Sequence, residues 1–500
     1  MGERVGESIV AIGRDDLFET LGGQSPDVDV LQMWHASFYR VRAARSSLWE
    51  DDPVTRLFGT DGVRGIANRD LTPDLALTLG RAAGSVLAGP GPVVLGRDTR
   101  ISGPMLEAAL AAGLCSAGLD VALAGVLPTP AVSFLTVDVA ASAGGMVSAS
   151  HNPVDDNGIK FFSTEGAKVS SEIEAAIESA MESPSNEELP VGTGVGGVQA
   201  ISDAADRYVD HLVSTLRGPL QGLRVVLDCA YGAAWEVGPR AFARAGAAVV
   251  AMNAEPDGSR INVDCGSTSL GPLSRRVLDE EADLGIALDG DADRMLAVDE
   301  RGMVIDGDAM LAITAVRMAE AGELNRNVVV TTVMANLGLQ HALAEHAIEV
   351  LTVPVGDRFV SEAMLDAGSV LGGEQSGHII FGAHARTGDG ILAGLQLASF
   401  AAASDEPVSQ LVHLFEPFPQ VLINVRVTSK EALGSAEPLW EHVTSLEERL
   451  GQRGRVLLRA SGTEPLIRVM VEAQDEALAR ASAESLADIV RAQLGAPTPS

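Results

Sequence analysis

VVLGRDTRISGPMLEAALAAGLCSAGLDVALAGV, residues 93–126, holds two short apolar runs separated by a longer stretch of helical character. Gly91-Pro92 punctuates its start. VVLGRD (93–98) reads as a buried strand, SGPMLEAALAAGLCSAG (102–118) as a helix and LDVALAGV (119–126) as a second strand. Strands joined through a helix pair in parallel, because a tight turn returns a strand antiparallel. The same order recurs in LRVVLD (223–228), AWEVGPRAFARAG (234–246) and AAVVAMN (247–253). It recurs again in NVVVTTV (327–333), ANLGLQHALAEHA (335–347) and IEVLTVPV (348–355). The units begin at 93, 223 and 327. That spacing favours three related α/β domains with mixed, largely parallel sheets over one large doubly wound sheet.

The tail changes grammar. From Phe418 it runs VLINVRV (421–427), a polar helical stretch (430–452), RVLLRASG (455–462), LIRVMVEA (466–473) and a second helix (474–494). This order predicts a smaller α+β domain. Expected domains are therefore 56–200, 201–306, 307–417 and 418–500. MESPSNEELPVGTGVGGVQ (181–199), rich in Gly, Pro and acid, reads as a linker. Its Gly192, Gly194 and Gly197 satisfy G-x-G-x-x-G, but no strand precedes them, so the match reads as a loop and not a dinucleotide site. Residues 1–55 show no strand–helix rhythm and hold Trp34 and Trp49. They read as an extension, disordered or loosely packed, with a native translation start near Val54 as the sharper expectation.

Composition excludes several classes. Of 500 residues, 36 are basic and 68 acidic, a net charge of −32, so the average surface repels nucleic acid and acidic membranes. A small anionic substrate needs a local concentration of positive charge, and only three lysines occur: Lys160, Lys168 and Lys430. Cys115, Cys229 and Cys265 are too scattered for a disulfide framework, and the first residues lack the apolar core of a secretory signal. ILAGLQLASFAAA (391–403) falls short of the roughly 18 apolar residues of a membrane span and contains Gln396, so it predicts a buried helix. A multidomain cytoplasmic enzyme is expected.

Four loops carry residues suited to chemistry. In ALDGDADRMLAVDE (287–300), Asp289, Asp291 and Asp293 alternate, so three carboxylates can converge on one hard cation. A calcium EF-hand fits less well: Arg294 stands where the sharp turn needs glycine, and both flanks read as strands. In GGMVSASHNPVDDNGIKFF (144–162), Ser150 follows a small-residue run and can act as a nucleophile, with Lys160 ten residues on. His151 reads as a poor base for Ser150, since neighbours in an extended segment point to opposite faces. LGGEQSGHIIF (371–381) offers Glu374, Gln375, Ser376 and His378 as partners for a sugar's adjacent hydroxyls. LLRASGTEPLIRVMVE (457–472) places Arg459 and Arg468 around Ser461-Gly462-Thr463, a candidate phosphate clamp. FGTDGVRG (58–65) and GRDTRISG (96–103) set Arg64, Arg97 and Arg100 in Gly-rich turns, which read as local anion sites.

Together, FGTDGVRG, GRDTRISG, SASHNP with NGIK, DGDADR, GGEQSGH and RASGTEP resemble, in that order, the motifs of the α-D-phosphohexomutases. The resemblance covers Phe58 to about Arg468 and implies four domains in a heart-shaped molecule around a central cleft. It implies that Ser150 is phosphorylated. Mg²⁺ would be held by Asp289, Asp291, Asp293 and a phosphoryl oxygen on Ser150. Lys160, Arg64 and His378 would serve proton transfer and charge stabilisation. Arg294, Glu374 and Ser376, with Arg459, Ser461, Gly462, Thr463 and Arg468, would bind substrate. Gln375, where the phosphomannomutase/phosphoglucomutase branch has Met, is similar to the amino-sugar branch. There, glucosamine 6-phosphate and glucosamine 1-phosphate interconvert through glucosamine 1,6-bisphosphate. A glucose or mannose phosphate mutase, a Mg²⁺-dependent sugar phosphatase and a non-catalytic sugar-phosphate binder are the alternatives. No nucleic-acid or membrane partner is expected, and a homodimer is among the expected assemblies.

Overall fold

The quoted stretch forms the centre of a six-stranded sheet. In the computed structural model, residues 57–495 are described apart from 60, 183–188, 405 and 462–464. The expectations for residues 1–55, and for Gly462 and Thr463, lie outside the described residues. β2 (Val93–Arg97) pairs in parallel with both β3 (Val121–Val126) and β4 (Ala143–Val147), and the Gly103–Ser116 helix makes the crossover. β5 (Asp156–Phe162) then returns antiparallel beside β4, and β1 (Val63–Ile66) closes that side. The order is β1-β5-β4-β2-β3-β6.

β6 (Val198–Ala200) corrects the linker expectation. The end of 181–199 adds a parallel edge strand to β3. Three residues are too few to show an alternating pattern, so only the partner strand reveals it. Gly192–Gly194 form a single 3₁₀ turn, and the described residues 189–191 before it are not in a strand.

The second and third sheets repeat the plan. β7 (Arg224–Asp228) lies parallel between β8 (Ala248–Met252) and β9 (Leu284–Leu288); β10 (Met295–Asp299) returns antiparallel on β9 and carries β11 (Val304–Ile305). β12 (Val328–Thr332) lies parallel between β13 (Glu349–Val353) and β14 (Leu371–Gly373); β15 (Ile379–Phe381) returns on β14. The last sheet is antiparallel, β16-β18-β17, from β16 (Gln420–Arg426), β17 (Gly454–Ala460) and β18 (Leu466–Ala473). The polar helix expected over 430–452 runs only Glu437–Leu450. Pro438 suits its first turn, and a 3₁₀ segment, Glu431–Ser435, precedes it.

Each sheet thus delivers one motif at the turn between two antiparallel neighbours: 148–155 between β4 and β5, 289–294 between β9 and β10, 374–378 between β14 and β15, and 461–465 between β17 and β18. One contiguous apolar cluster runs from Val94 to Phe415 and joins the first three sheets. The Gly390–Ala403 helix is buried inside it, as its sequence predicts. The C-terminal sheet has its own cluster, from Val425 to Val490.

Candidate active site

The serine loop is held from several sides. Ser150 adopts φ 52°, a left-handed conformation that costs an L-residue about 1–2 kcal/mol. Its carbonyl accepts from Arg100 Nη2 and Asn262 Nδ2, each at 2.9 Å, and its N–H donates to Ser148 Oγ at 2.9 Å. Gly290 lets this carbonyl approach, since a Cβ there would stand 2.6 Å from it. The buried hydroxyl of Ser150 donates to Asp289 Oδ2 at 2.6 Å.

The left-handed turn removes the geometric premise of the reading of His151, though the Ser150 hydroxyl donates to Asp289 and not to the imidazole. The chain is not extended at Ser150, so successive side chains converge, and His151 Nδ1 lies 3.2 Å from Ser150 Oγ. Burial, then Arg294 and Arg64, hold the imidazole below its usual pKa.

Asp289, Asp291 and Asp293 are buried, and each offers an oxygen within 4.8 Å of the others. Thr129 Oγ1 donates to Asp291 Oδ2 at 2.5 Å, as does Lys160 Nζ at 2.9 Å. Asp291 Oδ1 and Asp293 Oδ1 are buried without a hydrogen-bond partner. Burial pushes Asp289 well above the usual carboxylate range, and the charges of Asp293 and Asp291 push it further. Unpartnered carboxylate oxygens and mutual repulsion fit a cation at this point, and oxygen ligands suit a hard one.

Positive groups surround the trio. Burial opposes the Lys160 ammonium, but Asp291, Asp61 and Asp293 outweigh it and raise its pKa. Asp293 resists its own burial through Lys160, His378 and Arg294, which leave its pKa low. Arg294 Nε lies 3.8 Å from Asp293 Oδ1, and this buried nitrogen has no hydrogen-bond partner. Arg64 Nη1 donates to Asn152 Oδ1 in the serine loop at 3.3 Å, and Nη2 pairs with Asp61.

His378 is buried, with Nδ1 3.8 Å from Asp293 Oδ2. The Gly388 N–H donates to its Nε2 at 3.0 Å, which favours a neutral ring with the proton on Nδ1. The carboxylates pull the other way: burial lowers the pKa, but Asp293 and Asp357 outweigh it and raise it. Glu374 Oε1 accepts from the Gly356 N–H at 3.2 Å and Oε2 from Ser376 Oγ at 3.3 Å. Gln375 Nε2 donates to Asp306 Oδ2 at 3.4 Å, and its carbonyl accepts from the Gly307 N–H at 3.0 Å.

Two arginines depart from expectation. Arg100 is fully buried and spends its donors on Asp98 and on the carbonyls of Ser150, Asn152, Pro153 and Asp156. It scaffolds the serine loop and is no anion site. Arg97 Nε pairs with Glu107 Oε2 at 3.2 Å and is likewise committed. Arg97 is taken by Glu107 on the following helix, and Arg100 by Asp98 of its own loop together with carbonyls some fifty residues on.

The structure brings Ser150, the three aspartates, Lys160, Arg64, Arg294 and His378 into one network, with Glu374 and Ser376 in the adjoining loop. Arg459 and Arg468 are register partners on the C-terminal sheet, and Ser461 follows the end of β17. Lys430 Nζ donates to the Ser461 carbonyl at 3.1 Å. Sequence reasoning missed Asp61, Thr129, Asn262, Lys168 and Asp357. The rarity of lysine was the one usable signal, and it marked Lys168.

A serine hydroxyl aimed into a carboxylate trio suits transfer of a group that carries its own anionic oxygens to a cation. Phosphoryl is such a group, and Lys160 and Arg294 bring positive charge to the trio. The fold and site therefore define a phosphotransferase built from four sheets. Family models described as phosphoglucomutase/phosphomannomutase match throughout: α/β/α domain I at residues 55–188, domain II at 206–302, domain III at 306–418 and the C-terminal domain at 422–489. The chain belongs to the phosphoglucomutase/phosphomannomutase family, the α-D-phosphohexomutases. It is 52% identical to a phosphoglucosamine mutase of Rhodococcus opacus (strain B4) over 440 residues, 87% of this chain and 99% of that one. It is 53% identical to the phosphoglucosamine mutase of Salinispora arenicola (strain CNS-205) over 443 residues, 87% of this chain and 98% of that one. A Burkholderia thailandensis family member of known structure superposes with a TM-score of 0.74 at 25% identity, covering 87% of this chain and 97% of that one. An Aspergillus fumigatus N-acetylphosphoglucosamine mutase, solved with GlcNAc-6P and magnesium, shares the fold with a TM-score of 0.64 at 18% identity, covering 87% of this chain and 95% of that one.

Proposed function

We propose that this phosphohexomutase interconverts glucosamine 6-phosphate and glucosamine 1-phosphate through a phosphoserine at Ser150 and a glucosamine 1,6-bisphosphate intermediate. The observation that carries the reading is the Ser150 hydroxyl 2.6 Å from Asp289, inside a trio with unpartnered oxygens on Asp291 and Asp293. Mg²⁺ is the cation read for Asp289, Asp291, Asp293 and a phosphoryl oxygen, where it would neutralise charge on the transferring group. The fungal relative solved with magnesium supports that choice.

The chain's own residues supply the rest. Lys160, Arg64 and Arg294 stabilise the equatorial oxygens of the transferring phosphoryl. His378 is the group assigned to proton exchange with the reacting sugar hydroxyl. Glu374 and Ser376 hold sugar hydroxyls in either orientation. Arg459, Ser461, Gly462, Thr463 and Arg468 grip the phosphate that does not react, so remote binding energy positions the reacting end. Gln375 and the relatives named phosphoglucosamine mutase favour the amino sugar. The domains are read as 56–200, 201–306, 307–417 and 418–500, a division that the family matches at 55–188, 206–302, 306–418 and 422–489 support.

No helix among the described residues is long and apolar enough to cross a membrane, and Cys115, Cys229 and Cys265 are free and buried. A reducing cytoplasm suits both. A homodimer belongs to the same reading: β6 ends its sheet beside exposed Val191 and Val195, a surface that a second copy would cover.

A coupled assay with glucosamine 6-phosphate, glucose 1-phosphate and mannose 1-phosphate side by side tests the reading, on protein whose intact mass reports one phosphoryl group. The largest kcat/KM belongs to the glucosamine substrate. A larger value for glucose or mannose moves the protein to the other branch of the family. Free phosphate released in step with substrate loss marks a phosphatase instead.

A further inference from the structure

A ring of alternating basic and acidic groups joins the first three sheets. Lys160 Nζ lies 3.5 Å from Asp293 Oδ2 and 3.6 Å from Asp61 Oδ2. Lys168 pairs with both Asp61 and Asp357. His378 closes the ring, 3.6 Å from Asp357 Oδ2 on one side and 3.8 Å from Asp293 Oδ2 on the other. Lys168 and Asp357 touch none of the three metal carboxylates and have no part in the mechanism above.

The pair joins two domains. Lys168 follows β5 of the first sheet, while Asp357 opens the Asp357–Ala367 helix of the third. The next residue extends the contact: Arg358 Nη1 donates to Ser171 Oγ at 2.6 Å, and Nη2 to Glu174 Oε1 at 2.6 Å and to the Val169 carbonyl at 3.3 Å. An acid–base pair on the helix therefore meets Lys168 and Glu174 with opposite sign at each position. The side chains of Lys168 and Asp357 are only 12% and 14% exposed, so removing one partner strands the other in a poorly hydrated place. Just before Asp357, the Gly356 N–H holds Glu374 of the sugar loop.

We propose that Lys168 and Asp357 are positioning residues for phosphoryl transfer, a latch that fixes the sugar loop and His378 against the serine and metal loops. The inference rests on the site reading given above. The transfer joins atoms carried by different domains, and a displacement of about 1 Å at such a junction costs on the order of 100-fold in rate.

The test uses full-length Lys168→Met, Asp357→Asn, the double variant and Lys168→Arg, each checked for phosphorylated Ser150 by intact mass and for folding by thermal scan. Kinetics with glucosamine 6-phosphate are expected to show kcat of Lys168→Met down about 100-fold with KM within about threefold. Lys168→Arg recovers most of the rate. The double variant is no slower than Lys168→Met, because the two residues act as one unit. The proposal is overturned if Lys168→Met keeps kcat within about twofold of the parent, or if the two single effects multiply in the double variant. Should Lys168→Met fail to fold, a parental kcat in Asp357→Asn overturns it equally. Failure of the underlying site reading shows separately, as turnover surviving in Ser150→Ala.

Discussion

Arg459 and Arg468 stand directly opposite each other on β17 and β18, so two guanidinium groups share one face of the C-terminal sheet. Like charges so placed weaken a sheet unless an anion lies between them. Burial, then Arg468, lowers the pKa of Arg459, and Arg468 Nε is buried without a partner. Inorganic phosphate is therefore expected to raise the thermal midpoint, and Arg468→Ala to remove that response. The same variant is expected to raise KM about 10–100-fold, the worth of a charge-assisted hydrogen bond at about 1.5–3 kcal/mol. Calorimetry with and without phosphate checks this; an Arg468→Ala protein that phosphate still stabilises contradicts it.

Ser150→Ala removes the phosphoryl acceptor and leaves the carboxylate trio in place. Turnover is expected to fall by at least about 10³-fold, and the phosphoryl mass increment to vanish. Chelation of divalent cations is expected to abolish turnover of the parent protein reversibly. Activity persisting in excess chelator, in protein shown metal-free by elemental analysis, would separate the trio from the reaction.

Gly290→Ala tests the seating of the serine loop without touching a reacting group. The added Cβ meets the Ser150 carbonyl at 2.6 Å and the Asn262 amide nitrogen at 2.9 Å, so the loop must shift. Steady-state kinetics are expected to show kcat reduced by about 100-fold, the scale of a 1 Å misplacement. A parental rate would mean that the carbonyl's position is immaterial.

Asp308 gives a pH dependence away from the metal loop. Burial, then Asp306, raises its pKa from 3.8 to about 8, although the Asn336 N–H supports its ionised form. An unfolded chain loses this proton near 3.8, whereas the folded one keeps it to about 8. The stability linked to this group is thus full below 3.8 and is lost as pH rises toward 8. Asp308→Asn is expected to match the parent in acid and to melt higher than it by pH 8. Denaturation midpoints across that range decide it; a gap that narrows as pH rises contradicts the prediction.

The repeated strands at 93, 223 and 327 were legible because a strand buried on both faces reads as an unbroken apolar run. The four motif loops were legible as residues, but nothing in their order says that each bridges adjacent antiparallel strands. The convergence of Asp289, Asp291 and Asp293 could be read from alternation alone. The turn at Ser150 could not, since no glycine marks its positive φ, and the expectation that Ser150 and His151 point to opposite faces failed for that reason. Arg97 and Arg100 misled because charge in a loop says nothing of the acid or carbonyls that fold against it. Asp357 meets Lys168 from another domain, so spacing along the chain carries no trace of their contact.

Four loops, each pinned at both feet to neighbouring rungs of a sheet, make four cassettes. Between the register partners Gly373 and Ile379, Gly377 accepts from the Met295 N–H and His378 faces Asp293, so the side chains of 374–376 are the part that can be rewritten without disturbing the frame that seats 289–294. Such a chassis allows a new sugar to be recruited by rewriting one insert while the phosphoryl-handling inserts are inherited unchanged.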